Sequence, residues 1–237
     1  MRYELYYWTG IQGRGEFVRL ALEDAGADYI DVCRKRGDNA MMPFLRGKQE
    51  GALPFAPPFL KAGRLVIAQT ATILAYLGPH LGLVPGGRSA EIYAQQLQAT
   101  ITDLVVEAHD THHPIASSLY YEQQRAAARK RAENFREERM PKYLGYFESV
   151  LERGNGRQAL SRHSYVDLSL FQVISGLDYA FPNTMRRMQK QIPRLRALAE
   201  RVADRPNIAA YLESSRRIPF NEDGIFRCYP ELDPSRQ

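Results

Sequence analysis

The hydrophobic pattern of this chain changes period once, near residue 85, and that change limits the available folds more than any other feature. Upstream, short runs of period two alternate with short runs of helical spacing. Residues 3–8 place Tyr3, Leu5 and Tyr7 on one face of a strand, Gly10, Gly13 and Gly15 make a loop, and residues 16–25 carry the helical stripe Phe17, Leu20 and Ala21 before the stop at Gly26. Residues 29–33 read as a second strand, 57–60 and 64–67 as a hairpin around Lys61-Ala62-Gly63, and 70–77 as a second amphipathic helix. The order is β–α–β followed by β–β–α. From residue 89 to 211 almost nothing alternates: 90–108, 122–151, 165–179, 185–203 and 208–214 show helical spacing, as in Tyr143, Phe147, Val150 and Leu151. The pattern predicts an α/β domain over 1–85 and an all-α domain over 86–215, with Pro85-Gly86-Gly87 as the break between them. Residues 216–237, with Pro219, Gly224, Pro230 and Pro234, lack periodicity and are expected to pack over the surface as an extended tail.

Composition excludes several other classes. With 237 residues, 44% of them hydrophobic, the chain has enough length and apolar content for a sizeable core and is far from disorder. Residues 65–87 carry no Asp, Glu, Lys or Arg, yet Gln69, Thr70, Thr72, Pro79, His80 and four glycines make a strand, helix and loop a better reading than a membrane span. Arg2 and Glu4 interrupt any apolar leader, so no signal peptide is expected and Met1 reads as the start of the mature chain. Cys33 and Cys228 stand alone in dissimilar regions, which points to a reducing, cytoplasmic setting. The net charge of +5 gathers in no tail, and the basic run at 125–142 is interleaved with Glu133, Glu137 and Glu138 like a solvated helix face, so no nucleic-acid partner is expected.

Three features bear on chemistry. Tyr7 stands at the carboxyl end of the first strand, ahead of a Gly-rich loop and a helix, where open α/β domains place ligands. Pro57-Pro58 precedes a short strand, where residues without N–H groups are unusual and a cis bond is one accommodation. Thr70 suits an N-cap, and the helix start behind it would offer free N–H groups to a carboxylate. Singly, each is as well read as a strand aromatic, a turn or an ordinary capped helix. His109, His112, His113 and Asp110 have ligand-like spacing, but no distant Cys/His cluster accompanies them and Pro114 closes that helix, so no metal is expected.

Together these segments resemble the cytosolic glutathione transferases, most closely the sigma-like and related tyrosine-type classes. The resemblance runs through Tyr6-Tyr7-Trp8, Gly13-Arg14-Gly15-Glu16, Val18-Arg19-Leu20, Pro57-Pro58-Phe59-Leu60, Gln69-Thr70 and Ile73-Leu74, and reaches the S-x-x-D capping box Ser164-Tyr165-Val166-Asp167. It implies a thioredoxin-like N-terminal domain with a mixed four-stranded sheet, a C-terminal helical domain, and a homodimer with each site at the subunit interface. It implies no cofactor, with glutathione as co-substrate and a small hydrophobic electrophile as its partner. Tyr7 matches the catalytic tyrosine that hydrogen-bonds the glutathione sulfur. Gln69 and Thr70 match the pair at the γ-glutamyl end, Arg14 an arginine near the site, and Trp8 an aromatic between subsites. Pro58 matches the cis-proline. Pro57 takes the place of the residue that pairs with the cysteinyl backbone, but it has no N–H to give. Lys48, with Arg46 as its alternative, is the candidate for the glycyl carboxylate, and Glu107 for an acidic residue that the partner subunit sends to the γ-glutamyl amine. Ile11, Gln12, His109, His113 and Phe220 are expected at the second-substrate site. Cys33 does not stand where cysteine-type relatives carry their nucleophile. Three departures stand out: residues 9–12 form a loop one residue longer than usual, no glycine precedes the capping box in 159–163, and 220–226 extends past the usual end. The resemblance also leaves open a non-catalytic carrier of hydrophobic anions.

Overall fold

The computed structural model describes residues 2–235; Met1 and the last two residues of the expected tail lie outside the described residues. Strand β1 (Tyr3–Tyr6) leads to helix α1 (Gly15–Asp24), strand β2 (Tyr29–Asp31), and the short helices α2 (Val32–Arg36) and α3 (Met42–Leu45). Strands β3 (Phe59–Ala62) and β4 (Leu65–Ala68) and helix α4 (Thr70–His80) complete the first domain. The sheet order is β2-β1-β3-β4, with β1 parallel to β2 and antiparallel to β3, and β4 antiparallel to β3. This is the mixed four-stranded sheet that the resemblance implies.

Alternation along β1 explains why the sheet is covered on both faces. Tyr3 and Leu5 enter the main core with Phe17, Leu20 and Ala21 of α1 and Ile73, Leu74 and Leu77 of α4. Tyr6 points the other way, stacked on Phe59 at a centroid distance of 4.5 Å among Cys33, Met41 and Val66. The expected second strand is corrected at its end: Val32 and Cys33 begin α2 instead of extending β2. Their consecutive burial fits a helix lying over the Tyr6 face and not a pleated strand. The first strand likewise stops at Tyr6, which leaves Tyr7 as the first residue beyond the sheet.

The second domain holds α5 (Arg88–Asp110), α6 (Arg125–Asn134), α7 (Met140–Arg153), α8 (Tyr165–Ala180), α9 (Pro182–Met188), α10 (Pro193–Ala203) and α11 (Pro206–Glu213). The single helix expected over 122–151 is a run of α6 and α7 joined by a π turn at Phe135–Arg139. The helix expected over 185–203 is divided, because Pro193 has no N–H for a continuing ladder and instead opens α10. Helix α8 is buried around most of its circumference and forms the centre of the domain. Its start is the expected capping box: the Ser164 N–H donates to Asp167 Oδ2 at 2.7 Å, and the N–H of Asp167 donates to the Ser164 side chain.

The segment from residue 216, expected to lie on the surface, sends Ile225, Phe226 and Leu232 into the main core. Phe226 fits because Gly176 on α8 has no side chain; a Cβ there would stand 2.2 Å from the Phe226 ring. Asp233 accepts hydrogen bonds from the N–H groups of Asn183 (2.7 Å) and Thr184 (3.2 Å), so the end of the chain caps the start of α9. Among the described residues no helix is long and apolar enough to cross a membrane.

Candidate active site

Tyr7 leaves the sheet and its ring lies against the backbone of the Gly-rich loop. A Cβ on Gly13 would come within 2.1 Å of the Tyr7 hydroxyl, and one on Gly15 within 2.5 Å of the ring, so both positions need glycine; Gly13 also has φ +46°. The hydroxyl oxygen accepts the Arg14 N–H at 2.9 Å. Among the described residues nothing accepts its proton. Burial pushes the Tyr7 phenol above its ordinary value, opposed by the Arg14 amide and by the charges of Arg14 and Arg19. The group therefore stays protonated at neutral pH.

Arg14, Phe17, Gln69 and Thr70 face Gln98 and Thr102 of α5 across a small cleft. Gln69 has φ 68°, the left-handed region, and among the described residues it is the only non-glycine there. It occupies the N-cap position of α4, and Thr70 is the first helical residue, which corrects the expected cap. The reason is that the Thr70 hydroxyl is turned across the cleft to the Arg14 carbonyl (3.4 Å) and caps none of the helix amides. The first N–H groups of α4 are left without a side-chain cap beside Arg14. The Pro57-Pro58 bond is cis, with Pro58 buried and Pro57 half-buried ahead of β3.

The other expected residues divide. Trp8 is 41% exposed, next to Tyr7. Ile11 is half-buried, but Gln12 is buried and its amide is committed: Nε2 donates to the Ile218 carbonyl at 2.5 Å and Oε1 accepts from Gln172 at 2.8 Å. Lys48 is exposed and shares a depression with Arg46, Asn39, Met42 and Pro43, separate from the Arg14 cleft. The Glu107 carboxylate is engaged within its own chain by Arg139 (2.7 Å), Tyr143 (2.8 Å) and Arg131 (3.2 Å). Although burial opposes it, the hydrogen bonds from Arg139 and Tyr143 hold Glu107 below the usual carboxylate range. Phe220 stacks on Tyr179 at 5.0 Å.

The histidines form one stack at the end of α5. His109 lies parallel to His113 with centroids 5.0 Å apart, and His112 stands edge-on to both. His112 Nε2 lies 2.8 Å from the Ile225 carbonyl, which can only accept, so His112 carries its proton there. Burial pushes the His112 pKa down to about 2, so the ring is neutral and its Nδ1 accepts from His113 Nδ1 at 2.6 Å. Burial likewise pushes His113 down to about 4 and lowers His109. Among the described residues no group of His, Cys, Asp or Glu is arranged to hold a metal ion.

Gln98 and Thr102 are cleft residues that the sequence reading missed. Their signal is a polar pair four apart on a helix face otherwise made of Leu97, Ile101 and Val105.

Residues 109–215 match the family model for the C-terminal domain of glutathione S-transferases. Relatives extend the likeness to the rest of the chain. The glutathione S-transferase of Plasmodium yoelii yoelii is 26% identical over 211 residues, 88% of this chain and 92% of the relative. That of Plasmodium falciparum (isolate 3D7) is 24% identical over 224 residues, covering 91% and 97%.

By homology across most of its length, the chain is a glutathione S-transferase.

This transferase shares its fold with solved structures over nearly its whole length. The pi-class glutathione S-transferase of Onchocerca volvulus aligns at a TM-score of 0.73 and 24% identity, covering 94% of this chain and 99% of that one. Prostaglandin synthase D of Nilaparvata lugens aligns at 0.71 and 20%, covering 92% and 100%. The thioredoxin-like domain and the helical domain described above are those of a glutathione transferase, and the chain is a glutathione S-transferase enzyme.

Proposed function

We propose that the enzyme joins the thiolate of glutathione to small hydrophobic electrophiles, and that Tyr7 acts by donating its hydroxyl hydrogen bond to the sulfur. The observation that carries this reading is the Tyr7 hydroxyl itself, whose oxygen accepts the Arg14 N–H at 2.9 Å while its proton has no acceptor among the described residues. A free thiol of pKa about 8.5 is mostly protonated at neutral pH, and a donor aimed at the thiolate favours the nucleophilic form. Lowering that pKa by one unit takes about 1.4 kcal/mol of differential stabilisation, within reach of one charge-assisted hydrogen bond.

The γ-glutamyl end would lie against Arg14, Gln69, Thr70 and the uncapped amides of α4, and Lys48 or Arg46 would take the glycyl carboxylate. Pro57 offers a carbonyl alone to the cysteinyl backbone, which weakens that contact. Trp8, Ile11, His109, His113 and Phe220 would surround the electrophile, with Gln12 bracing the loop from below. The sigma-like and tyrosine-type resemblance supports the same chemistry, carried out in the cytoplasm, where the unpaired Cys33 and Cys228 would stay reduced. A homodimer accords with Phe55, 92% exposed beside Leu53 on the loop before β3.

The test is Tyr7→Phe, assayed with an aromatic electrophile: turnover falls at least tenfold while glutathione still binds. Equal turnover in variant and wild type would instead favour the carrier reading.

A further inference from the structure

A set of charges lies beneath the Tyr7 ring, with Arg19 and Glu16 fully buried and Asp31 and Arg217 half-buried. The guanidinium carbon of Arg19 is 5.8 Å from the ring centre, and the Arg19 side chain is fully buried. Its Nη1 donates to the Gln12 carbonyl (3.3 Å) and to Glu16 Oε2 (3.1 Å), and its Nε donates to Asp31 Oδ2 (2.8 Å). Glu16 is equally buried, and its other oxygen accepts from the Tyr211 hydroxyl at 2.6 Å and from Arg217 Nη1 at 2.5 Å. Arg217 belongs to the segment after α11. Its Nη2 donates to Gln172 Oε1 at 3.1 Å, and the Gln172 amide in turn holds Gln12. Its neighbour Arg216 is paired separately with Glu23.

The set contains two cations, Arg19 and Arg217, and two carboxylates, Glu16 and Asp31. It is neutral only while the C-terminal segment supplies Arg217. Charges in such surroundings are screened weakly, so a change in balance is felt several ångströms away. Loss of Arg217 would leave excess negative charge behind the tyrosine, opposing an anion at its hydroxyl. Loss of Glu16 would leave excess positive charge and favour one.

We propose that Arg217 is a positioning residue for the reaction: through Glu16 and Arg19 it balances the buried charge beneath Tyr7 and, through Gln172 and Gln12, it holds the loop against the Tyr7 ring. The proposal rests on the reading of Tyr7 as the donor to the glutathione sulfur. It assigns the C-terminal segment an electrostatic part in setting the thiolate, in addition to its packing.

The experiment titrates enzyme-bound glutathione by its thiolate ultraviolet absorbance in the wild type, Arg217→Gln, Glu16→Gln, the double variant, Arg217→Lys and Tyr7→Phe. Arg217→Gln is expected to raise the thiol pKa by about one unit, the size of a single unit charge acting across roughly 10 Å of protein. Glu16→Gln lowers it, the charge-balanced double variant returns it towards the wild type, and Arg217→Lys leaves it within a few tenths. The pH profile of kcat/KM moves in the same directions. A purely structural role would instead lower activity in every variant with no signed shift and make the double variant worse than either single one, and that result overturns the proposal. If Arg217→Gln does not fold, Glu16→Gln and the double variant decide: no fall in pKa with the first, or no return with the second, overturns it. If Tyr7→Phe raises the thiol pKa while the charge variants leave it unchanged, this proposal alone fails. If Tyr7→Phe has no effect, the Tyr7 reading fails and takes the proposal with it.

Discussion

Gly13→Ala probes the contact on which the candidate site is built. At φ +46° an alanine bears the left-handed penalty of about 1–2 kcal/mol. Its Cβ would stand 2.1 Å from the Tyr7 hydroxyl and 2.8 Å from two ring carbons, well inside van der Waals contact. The ring has little room to retreat, since Tyr7 is buried and a Cβ on Gly15 would stand only 2.5 Å from it. Relieving the clash moves the hydroxyl by about 1 Å, and overpacking of this kind costs about 1–3 kcal/mol. Together the two effects destabilise by about 2–5 kcal/mol, a fall in Tm on the order of 5–20 °C for a chain of this size. A displacement of about 1 Å at the reacting group is expected to lower turnover on the order of a hundredfold. The assay pairs urea unfolding with turnover of an aromatic electrophile. Gly10→Ala is the control, because nothing lies within 4 Å of a Cβ there, and it should change stability by less than about 0.5 kcal/mol. Adding Tyr7→Phe to Gly13→Ala removes the atom in closest contact and should recover part of the stability. A Gly13→Ala enzyme as stable and active as the wild type would refute the reasoning.

Gly176→Ala should free the Phe226 ring from α8, since the new methyl would stand 2.2 Å from it; faster tryptic cleavage at Arg227 than in the wild type is the expected readout, and unchanged cleavage contradicts it. Ser164→Ala removes the side-chain half of the α8 capping box and should cost about 1 kcal/mol in urea unfolding. His112 gives a pH prediction whose sign is set by burial: with its folded pKa pushed down to about 2, the unfolded chain binds a proton below about pH 6.5 that the folded chain does not. That contribution is complete above pH 6.5 and lost as pH falls, by about 2 kcal/mol between pH 7 and about 5, and His112→Phe should flatten this part of the curve. The same pH slope in variant and wild type would show that His112 is not its source.

Local sequence carried much of the architecture because its signals act within a few residues. The period-two run through Tyr3 and Leu5, the stop at Gly26, the turn at Lys61-Ala62-Gly63 and the Ser164-Asp167 box all report on neighbouring backbone. Errors arose where a distant contact decided the outcome. Val32 and Cys33 have strand propensity, but both are buried in the second cluster around Tyr6 and Phe59, and that burial takes them into α2. Thr70 has the chemistry of an N-cap, but the Arg14 carbonyl takes its hydroxyl. Gln12 has the position of a binding residue, but Ile218 and Gln172 take its amide.

The sequence by itself determined two regions of different period, an order of strands and helices suited to a mixed sheet, and a tyrosine at the end of the first strand ahead of a Gly-rich loop. Spacing and propensity are properties of adjacent residues, and both are legible along one chain. Only the tertiary structure decided that this tyrosine rests against two glycines with no acceptor for its proton among the described residues, that Gln98 and Thr102 line the cleft, and that Arg217 reaches Glu16 from 201 residues away. Such contacts join groups that are far apart in the chain and are selected by the balance of buried charge and packing. No local pattern records that balance.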